Sequence, residues 1–392
     1  MPDNFDALVI GGGPGGATAA LLLARGGWRV ALVERKAFPR RKVCGEYLSA
    51  TNLPLLEQLG IADEFLCLAG PEVREVGLFA GDTILRSRLP CPSHSRWGRA
   101  LGRESLDSLL LRCAAEAGVA IFQPWTARSL CRVGDEYVCQ ISGADRESEL
   151  RAPVIIAAHG YWEPGTLPTQ PRASGAFDSD LLAFKAHFLD SKLSEGLMPL
   201  LAFPGGYGGM VHSDAGRVSL SCCVRRAQLA ELRTRHEDAG DAVLRHILAS
   251  CRGVRQALDG AKLDGPWLAA GPLRPGIRVC ANGGIYLVGN AAGEAHPVIA
   301  EGISMAMQSA WLLTKRLVVL KPQTLVERHS VGNQYASDWR RSFAPRLRAA
   351  AVFAHWAMRP LAVAATGPFL RSLPAILSIG ARLSGKASRV VA

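Results

Sequence analysis

The chain has little that would tie it to a metal centre or a disulfide scaffold. It contains ten cysteines in 392 residues, but no Cys-x-x-Cys pair and no Cys/His grouping at zinc spacing. Their irregular positions suit reduced core thiols; Cys222 and Cys223 are adjacent, which on a strand sends the two thiols to opposite faces. The N-terminus carries Asp3 and Asp6 where a secretory signal needs basic residues, so the expectation is a cytoplasmic protein. The longest uncharged run near the C-terminus, Pro360 to Leu370, is too short to span a bilayer. Acidic residues are missing altogether from Trp339 onward. Those last 54 residues hold nine basic side chains, and the net charge of the whole chain is +11. The rest of the molecule is therefore nearly balanced. A basic stretch interleaved with apolar residues lacks a nucleic-acid-binding motif and excludes that partner class; it suits an anionic membrane surface or a helical cap.

What is present describes a globule with more than one core. Hydrophobic residues make up 48% and charged residues 20%, enough apolar matter to fold but too long a chain for one ordinary core. Asp6 to Ile10 reads as a short apolar strand, Ala17 to Arg25 as a helix ended by Gly26-Gly27, and Trp28 to Val33 as a second strand closed by Glu34. Residues 104–118 place Leu106, Leu109, Leu110 and Cys113 on one helical face. Val119 to Phe122 then returns as a parallel strand. Residues 136–158 read as strands, 161–175 as a linker, 180–226 as an antiparallel sheet, and 228–258 as helical. Gly284 to Val288 is a strand leading to a helix from about Gly302 to Leu320.

Two segments carry the nucleotide chemistry. Gly11-Gly12-Gly13-Pro14-Gly15-Gly16 fits Gly-x-Gly-x-x-Gly between a strand and a helix. Gly11 permits the tight turn, Gly13 lets the backbone approach a pyrophosphate, and Gly16 lets helix and strand pack closely. The helix N-terminus points its free N–H groups at the phosphates. Glu34 lies 18 positions past Gly16, where an acid hydrogen-bonds a ribose hydroxyl; Arg35 beside it joins the candidate cofactor contacts. The second segment is Gly289-Asn290-Ala-Ala-Gly293-Glu-Ala-His296-Pro297-Val-Ile-Ala-Glu301-Gly302-Ile303, following its strand directly.

This second segment resembles the FAD-binding motif of the p-hydroxybenzoate-hydroxylase-like flavoproteins and is most similar to their geranylgeranyl reductase branch, which is related to flavoprotein dehydrogenases and some flavin halogenases. The resemblance covers roughly residues 5 to 320. It implies that Gly289, Asn290, Pro297, Gly302 and Ile303 contact the ribityl chain and ring of FAD, with Asn290 replacing the usual Asp and bringing no charge. The helix start near Gly302 would favour an anionic reduced flavin. Arg103, in Arg99-Ala-Leu-Gly-Arg103-Glu-Ser-Leu-Asp107, resembles a family flavin contact. Lys42-Val-Cys44-Gly45-Glu46-Tyr-Leu-Ser49 is similar to the reductase segment beside the flavin ring, which implies cofactor contact by Lys42 and either a catalytic thiol or an inert loop residue at Cys44. His159-Gly160 stands where hydroxylases carry Asp-Gly, which puts direct reduction by NAD(P)H in question and leaves the electron donor open. The halogenase motif Trp-x-Trp-x-Ile-Pro and the reductase motif Tyr-x-Trp-x-Phe-Pro are both missing; Phe203 to Gly209 occupies roughly the latter's place, so Tyr207, Glu46 and His296 complete the candidate catalytic set with Cys44. No metal ligands are expected.

The expected fold is α/β: a Rossmann-type FAD-binding domain with an inserted antiparallel-sheet substrate domain and a helical C-terminal extension. The expected segments are 1–75, 99–160 and 276–330 for FAD, 76–98 and 161–275 for the substrate, and 331–392 for a basic extension broken at Pro360, Pro368 and Pro374. The expected function is FAD-dependent reduction or dehydrogenation of a small lipophilic substrate such as an isoprenoid or polyketide. Hydroxylation of a lipophilic aromatic, and a non-catalytic flavin-binding electron-transfer partner, are the alternatives. Peripheral membrane contact through the tail accompanies the first reading.

Overall fold

The computed structural model describes residues 3–89, 96–172, 175–234, 236–278 and 281–359, together with 362, 363, 365 and 366. Its nucleotide half is built on a six-stranded sheet in the spatial order Ala281–Asn282, Ile285–Leu287, Val154–Ala157, Ala7–Ile10, Val30–Val33, Ala120–Phe122. All neighbours are parallel except the first pair. The central strands are buried on both faces, which is why they read as continuous apolar runs. Alternation decides what each side chain meets. Ala7, Val9, Val30, Leu32, Val154 and Ile156 face the helices Pro14–Arg25, Arg103–Glu116 and Gly302–Leu320. Leu8, Ile10, Ala31, Val33 and Ile155 face a meander of Thr126–Val133, Glu136–Ser142 and Glu147–Ala152. The helix Gly302–Leu320 buries Ile303, Met307, Ala310, Leu313 and Leu317, a stripe at helical spacing.

The second sheet runs Lys262–Leu263, Leu181–Leu189, Val218–Arg225, Gly206–His212, Leu197–Phe203, Glu75–Ala80, Thr83–Arg88, with Leu268–Leu273 also paired to Leu181–Leu189. It is mixed rather than wholly antiparallel: Glu75–Ala80 enters from the nucleotide half and lies parallel to Leu197–Phe203. One face packs on the helices Arg226–Leu232, Ala239–Ser250 and Arg252–Ala257 through Phe184, Leu220, Cys222 and Val224. The other carries Ala183, Lys185, His187, Tyr207 and Cys223 and looks toward the nucleotide half. Cys222 and Cys223 thus do point their thiols to opposite faces.

The boundary expected at residue 331 falls inside one 33-residue helix, Leu325–Ala357. A capping box starts it: Thr324 Oγ1 accepts from the Glu327 N–H at 3.3 Å, and Glu327 Oε2 accepts from the Thr324 N–H at 3.0 Å. The helix continues through Pro345 because both flanks are anchored. Tyr335, Trp339 and Phe343 are buried in the nucleotide core, while Ala350, Ala354 and Ala357 are buried against the substrate sheet. The helix is therefore shared by both halves, not an appendage. The breaks expected at Pro360, Pro368 and Pro374 lie outside the described residues. No helix among the described residues is long and apolar enough to cross a membrane.

Candidate active site

The glycine loop divides its three key positions into two kinds. Gly11 has φ +110°, and a Cβ there would meet the Ala158 carbonyl oxygen at 2.6 Å. A Cβ on Gly16 would run into the Gly11 carbonyl. Both are demanded by the fold. At Gly13 a Cβ would meet only Arg103 Nη2, at the ordinary contact distance of 3.6 Å. Only there is the glycine explained by space kept for a ligand. Gly13 is also the N-cap of Pro14–Arg25, and no side chain caps it, so the first amides of that helix face the same space. Glu34 ends the second strand nearly buried; its Oε2 accepts from the Gly12 N–H at 2.8 Å and its Oε1 from the Lys36 N–H at 2.9 Å. The carboxylate is thus fixed beside the loop with lone pairs to spare for ribose hydroxyls.

Around this loop the charges do not balance. Arg103 is buried and holds Asp107 in a two-toothed pair at 2.7 and 2.8 Å. Burial alone would lower its pKa, but Asp107 and then Cys44 more than reverse that. Lys42 is pushed down to about 8, first by burial and then by the Arg103 and Arg40 charges. Arg40, which the sequence did not single out, is lowered by burial, and its shielded Nε has no hydrogen-bond partner among the described residues. Three crowded cations, an orphaned donor and an uncapped helix together fit a diphosphate. Arg35 does not join them; it lies half-exposed, paired with Glu163, because the strand end turns its side chain to solvent.

The second motif sits across the sheet. Gly289, at φ +60°, donates its N–H to Ser309 Oγ at 2.9 Å. Asn290 Nδ2 donates to Glu294 Oε1 at 3.1 Å, and Trp162 Nε1 donates to the same oxygen. Glu294 is buried, and burial raises its pKa. An Asp at 290 would set two carboxylates together, so Asn is the residue this pocket accepts. The Lys42 ammonium lies 5.8 Å from the Trp162 ring centroid, which links the two motifs. Gly302 opens its helix without a side-chain cap, and Ile303 after it is buried. His159 is held neutral, pushed to about 4 by burial, between the Gly160 carbonyl and Thr169 Oγ1, each at 2.8 Å.

Cys44 is half-buried. Its thiol accepts from the Glu46 N–H at 3.4 Å, and its carbonyl accepts from Ser221 Oγ at 2.9 Å. Glu46 is a correction. Its carboxylate is wholly buried and engaged by Lys185 Nζ, His187 Nε2 at 3.0 Å and Ser213 Oγ at 3.0 Å. Burial would raise its pKa; the His187 hydrogen bond and then the Lys185 charge hold it below the usual carboxylate range. With φ +63°, Glu46 is an anchor that pins the Cys44 loop to the substrate sheet, not an available base. Nothing in the local sequence marks Lys185 and His187; only their alternation on an apolar strand hints at an inward polar pair.

Tyr207 and His296 do meet. Tyr207 Oη lies 3.0 Å from His296 Nδ1, and both side chains are buried. Burial raises the Tyr207 pKa and pushes His296 to about 4. Tyr207 lines a cavity with Gly45, Met198, Leu200, Val211, Ser221, Cys223, Pro297 and Val298. Gly45 is the neighbour of Cys44, so the two motif loops and the substrate sheet enclose one space.

A Rossmann-type half with an open, cationic diphosphate cradle and a second sheet roofing its mouth defines a two-domain flavin-dependent oxidoreductase. A family model described as FAD binding domain matches residues 4–329, and the chain belongs to that family. It is 25% identical to a menaquinone reductase of Mycobacterium tuberculosis, covering 98% of this chain and 91% of that one. It is 27% identical to digeranylgeranylglycerophospholipid reductase 1 of Methanopyrus kandleri, covering 78% of each. It is 26% identical to a tryptophan 2-halogenase of Chondromyces crocatus, of which the match spans only 60%. Among solved structures, the myxobacterial chondrochloren halogenase superposes with a TM-score of 0.78 at 22% identity, over 98% of this chain and 91% of that one, which shows the shared fold.

Proposed function

We propose that this chain uses FAD to reduce an unsaturated bond of a lipophilic, polyisoprenoid-type substrate. The observation that carries this reading is the cavity between the Gly45 loop, Pro297–Val298 and the substrate sheet: among the described residues no carboxylate, lysine or arginine lines it, and its polar side chains include a phenol, a hydroxyl and the Cys223 thiol. Such walls suit an uncharged chain. Two similar proteins act, by their names, on menaquinone and on a digeranylgeranyl lipid, which agrees with that chemistry. Gly13, Glu34, Arg40, Lys42 and Arg103 would hold the dinucleotide; Gly289, Asn290 and Gly302 would border its ribityl and ring end. FAD when reduced supplies the two electrons. Tyr207 lines the cavity, Cys44 stands next to Gly45 at its edge, and the substrate sheet would exclude water. The acid-free C-terminal stretch would bring the enzyme to an anionic membrane in which such a lipid is dissolved.

The test is anaerobic. Protein loaded with FAD and reduced with dithionite, NADH or NADPH in separate arms is mixed with a short-chain menaquinone or a geranylgeranyl lipid. The reading expects reoxidised flavin and a reduced lipid without oxygen, and the arms identify the donor. Stoichiometric oxygen uptake with a hydroxylated product would convert the assignment to a monooxygenase. A flavin that reduces neither lipid but passes electrons to another protein would make the chain an electron carrier. Cys44→Ser, with its far higher pKa, should keep FAD bound and slow lipid-dependent reoxidation.

A further inference from the structure

The Tyr207–His296 pair does not end at His296. The ring of His355, from the terminal helix, also stands edge-on to His296 at 6.0 Å between centroids, with an interplanar angle of 73°, a ring contact rather than a hydrogen bond. The Tyr207 ring meets His296 at 6.1 Å and 61°. Burial changes along this line. Tyr207 is 0% exposed and His296 8%, whereas His355 is exposed on its helix. His355 also has one nitrogen already placed: Nδ1 lies 2.8 Å from the Ala351 carbonyl oxygen and donates to it, so Nε2 remains available for exchange with water. Three titratable side chains from three distant segments therefore lie in sequence from solvent to the wall of an otherwise uncharged cavity. The other group within electrostatic reach of Tyr207 at that wall is the Cys223 thiol, with Glu294 beyond it.

We propose that His355, His296 and Tyr207 form a proton path from solvent to the substrate cavity. This rests on the reductase reading, because addition of hydrogen across an unsaturated bond needs one proton besides the electron pair supplied by reduced FAD. The accounting closes with the groups present. The substrate carbon takes the proton from Tyr207 Oη. The phenolate left behind takes one from His296 Nδ1, 3.0 Å away. His296 recovers a proton on Nε2 from water that enters beside the exposed His355, whose free Nε2 exchanges protons with that water, and the ring regains its Nδ1–H form by exchange with the same water. One proton leaves solvent for each bond reduced, and every side chain returns to its starting charge. A neutral, buried imidazole suits this role, since it can accept at one nitrogen while donating at the other. Tyr207 would touch the substrate; His296 and His355 act through it.

The path is tested with and without substrate. In FAD-loaded enzyme carrying nitrogen-15 histidine, exchange of the His296 ring proton with solvent is followed by NMR in wild type and in His355→Gln. The glutamine variant changes an exposed position, so unfolding temperature and FAD content should match wild type. The expected result is that exchange slows by at least an order of magnitude in the variant; equal rates would overturn the path. In the second arm, reoxidation by a short-chain menaquinone should slow in His355→Gln, show a larger solvent isotope effect than wild type, and recover on adding imidazole. A slowed reaction that imidazole does not rescue and whose isotope effect is unchanged would reduce His355 to a packing residue. If wild type reduces no lipid, the reductase reading fails in that arm alone, while the exchange measurement still decides whether the path exists.

Discussion

The two ends of the site are built from different materials. At the nucleotide end the backbone does most of the work: a glycine loop, an uncapped helix start and a carboxylate, Glu34, itself held by a backbone N–H, all drawn from 24 consecutive residues, Gly11 to Glu34. At the substrate end side chains do it. Glu46, Lys185, His187, Ser213, Tyr207, His296 and His355 come from five separate segments and meet only after two sheets and the terminal helix have packed. A backbone site tolerates change in its neighbours but not in its glycines. A side-chain site is spread over the fold, so its failures should be failures of stability as much as of chemistry.

The largest contrast should come from two valines. Gly16→Val forces a side chain into the Gly11 carbonyl and should yield no soluble folded protein, whereas Gly13→Val, whose added carbons enter open space, should fold with a native circular-dichroism spectrum and carry no flavin absorbance. A yellow Gly13→Val protein would mean that the diphosphate lies elsewhere.

Next in size is the buried anchor. Glu46→Gln leaves Lys185 charged and uncompensated at 0% exposure and should cost about 3–5 kcal/mol in denaturant unfolding. The double variant Glu46→Gln with Lys185→Met should recover much of that loss, since no lone charge stays buried. Additive losses would show that the pair is not coupled.

Acid probes both ends at once. His159 in the nucleotide half and His296 in the substrate half are both pushed to about 4, by burial above all. The unfolded chain then binds protons that the folded one refuses, so stability is full above 6.5 and falls as pH drops from there toward 4. His159 alone is worth about 3 kcal/mol across that window. His159→Asn should flatten the upper part of the decline; an unchanged slope of denaturant midpoint against pH would mean that His159 is not held neutral. The anchor Glu46 adds its own loss only below the ordinary carboxylate pKa, which keeps the two contributions apart.

The smallest effect is expected from the basic C-terminal stretch. Truncation after Arg359 removes Arg371, Arg382, Lys386 and Arg389 but spares the buried residues of the terminal helix. Folding and FAD content should be kept, and binding to anionic vesicles at low salt should weaken. Equal vesicle binding by both chains would leave the tail without that role.

This division also explains what could be read from the sequence. The Rossmann strands, the loop and the helix at Gly302 were legible because each signal is local: four buried apolar residues, a glycine pattern, a 3.6-residue stripe. The roles of Lys185, His187 and His355 were not, because their partners lie 139, 141 and 59 residues away. The motif marks Glu46 as a candidate base, but only the folded sheet shows that its oxygens are already taken. The start of the terminal helix was a missed local signal: Thr324-Leu-Val-Glu327 is a capping box on its face. Arg40 was overlooked because a single arginine in a basic loop looks like any other until its shielded nitrogen is seen.

The terminal helix also sets the order in which the molecule can be finished. Synthesis proceeds from the N-terminus, so the wall formed by Ala350, Ala354 and Ala357 leaves the ribosome after everything it covers. Until then the inward face of the substrate sheet, including Leu181, Ala183 and Ala202, lacks the cover this helix supplies. A nascent chain stalled before Phe343 therefore exposes an apolar face at the mouth of a half-made nucleotide site. Nonsense codons before Phe343 should act as complete losses, and the newborn protein should depend on chaperones most until the terminal helix has emerged.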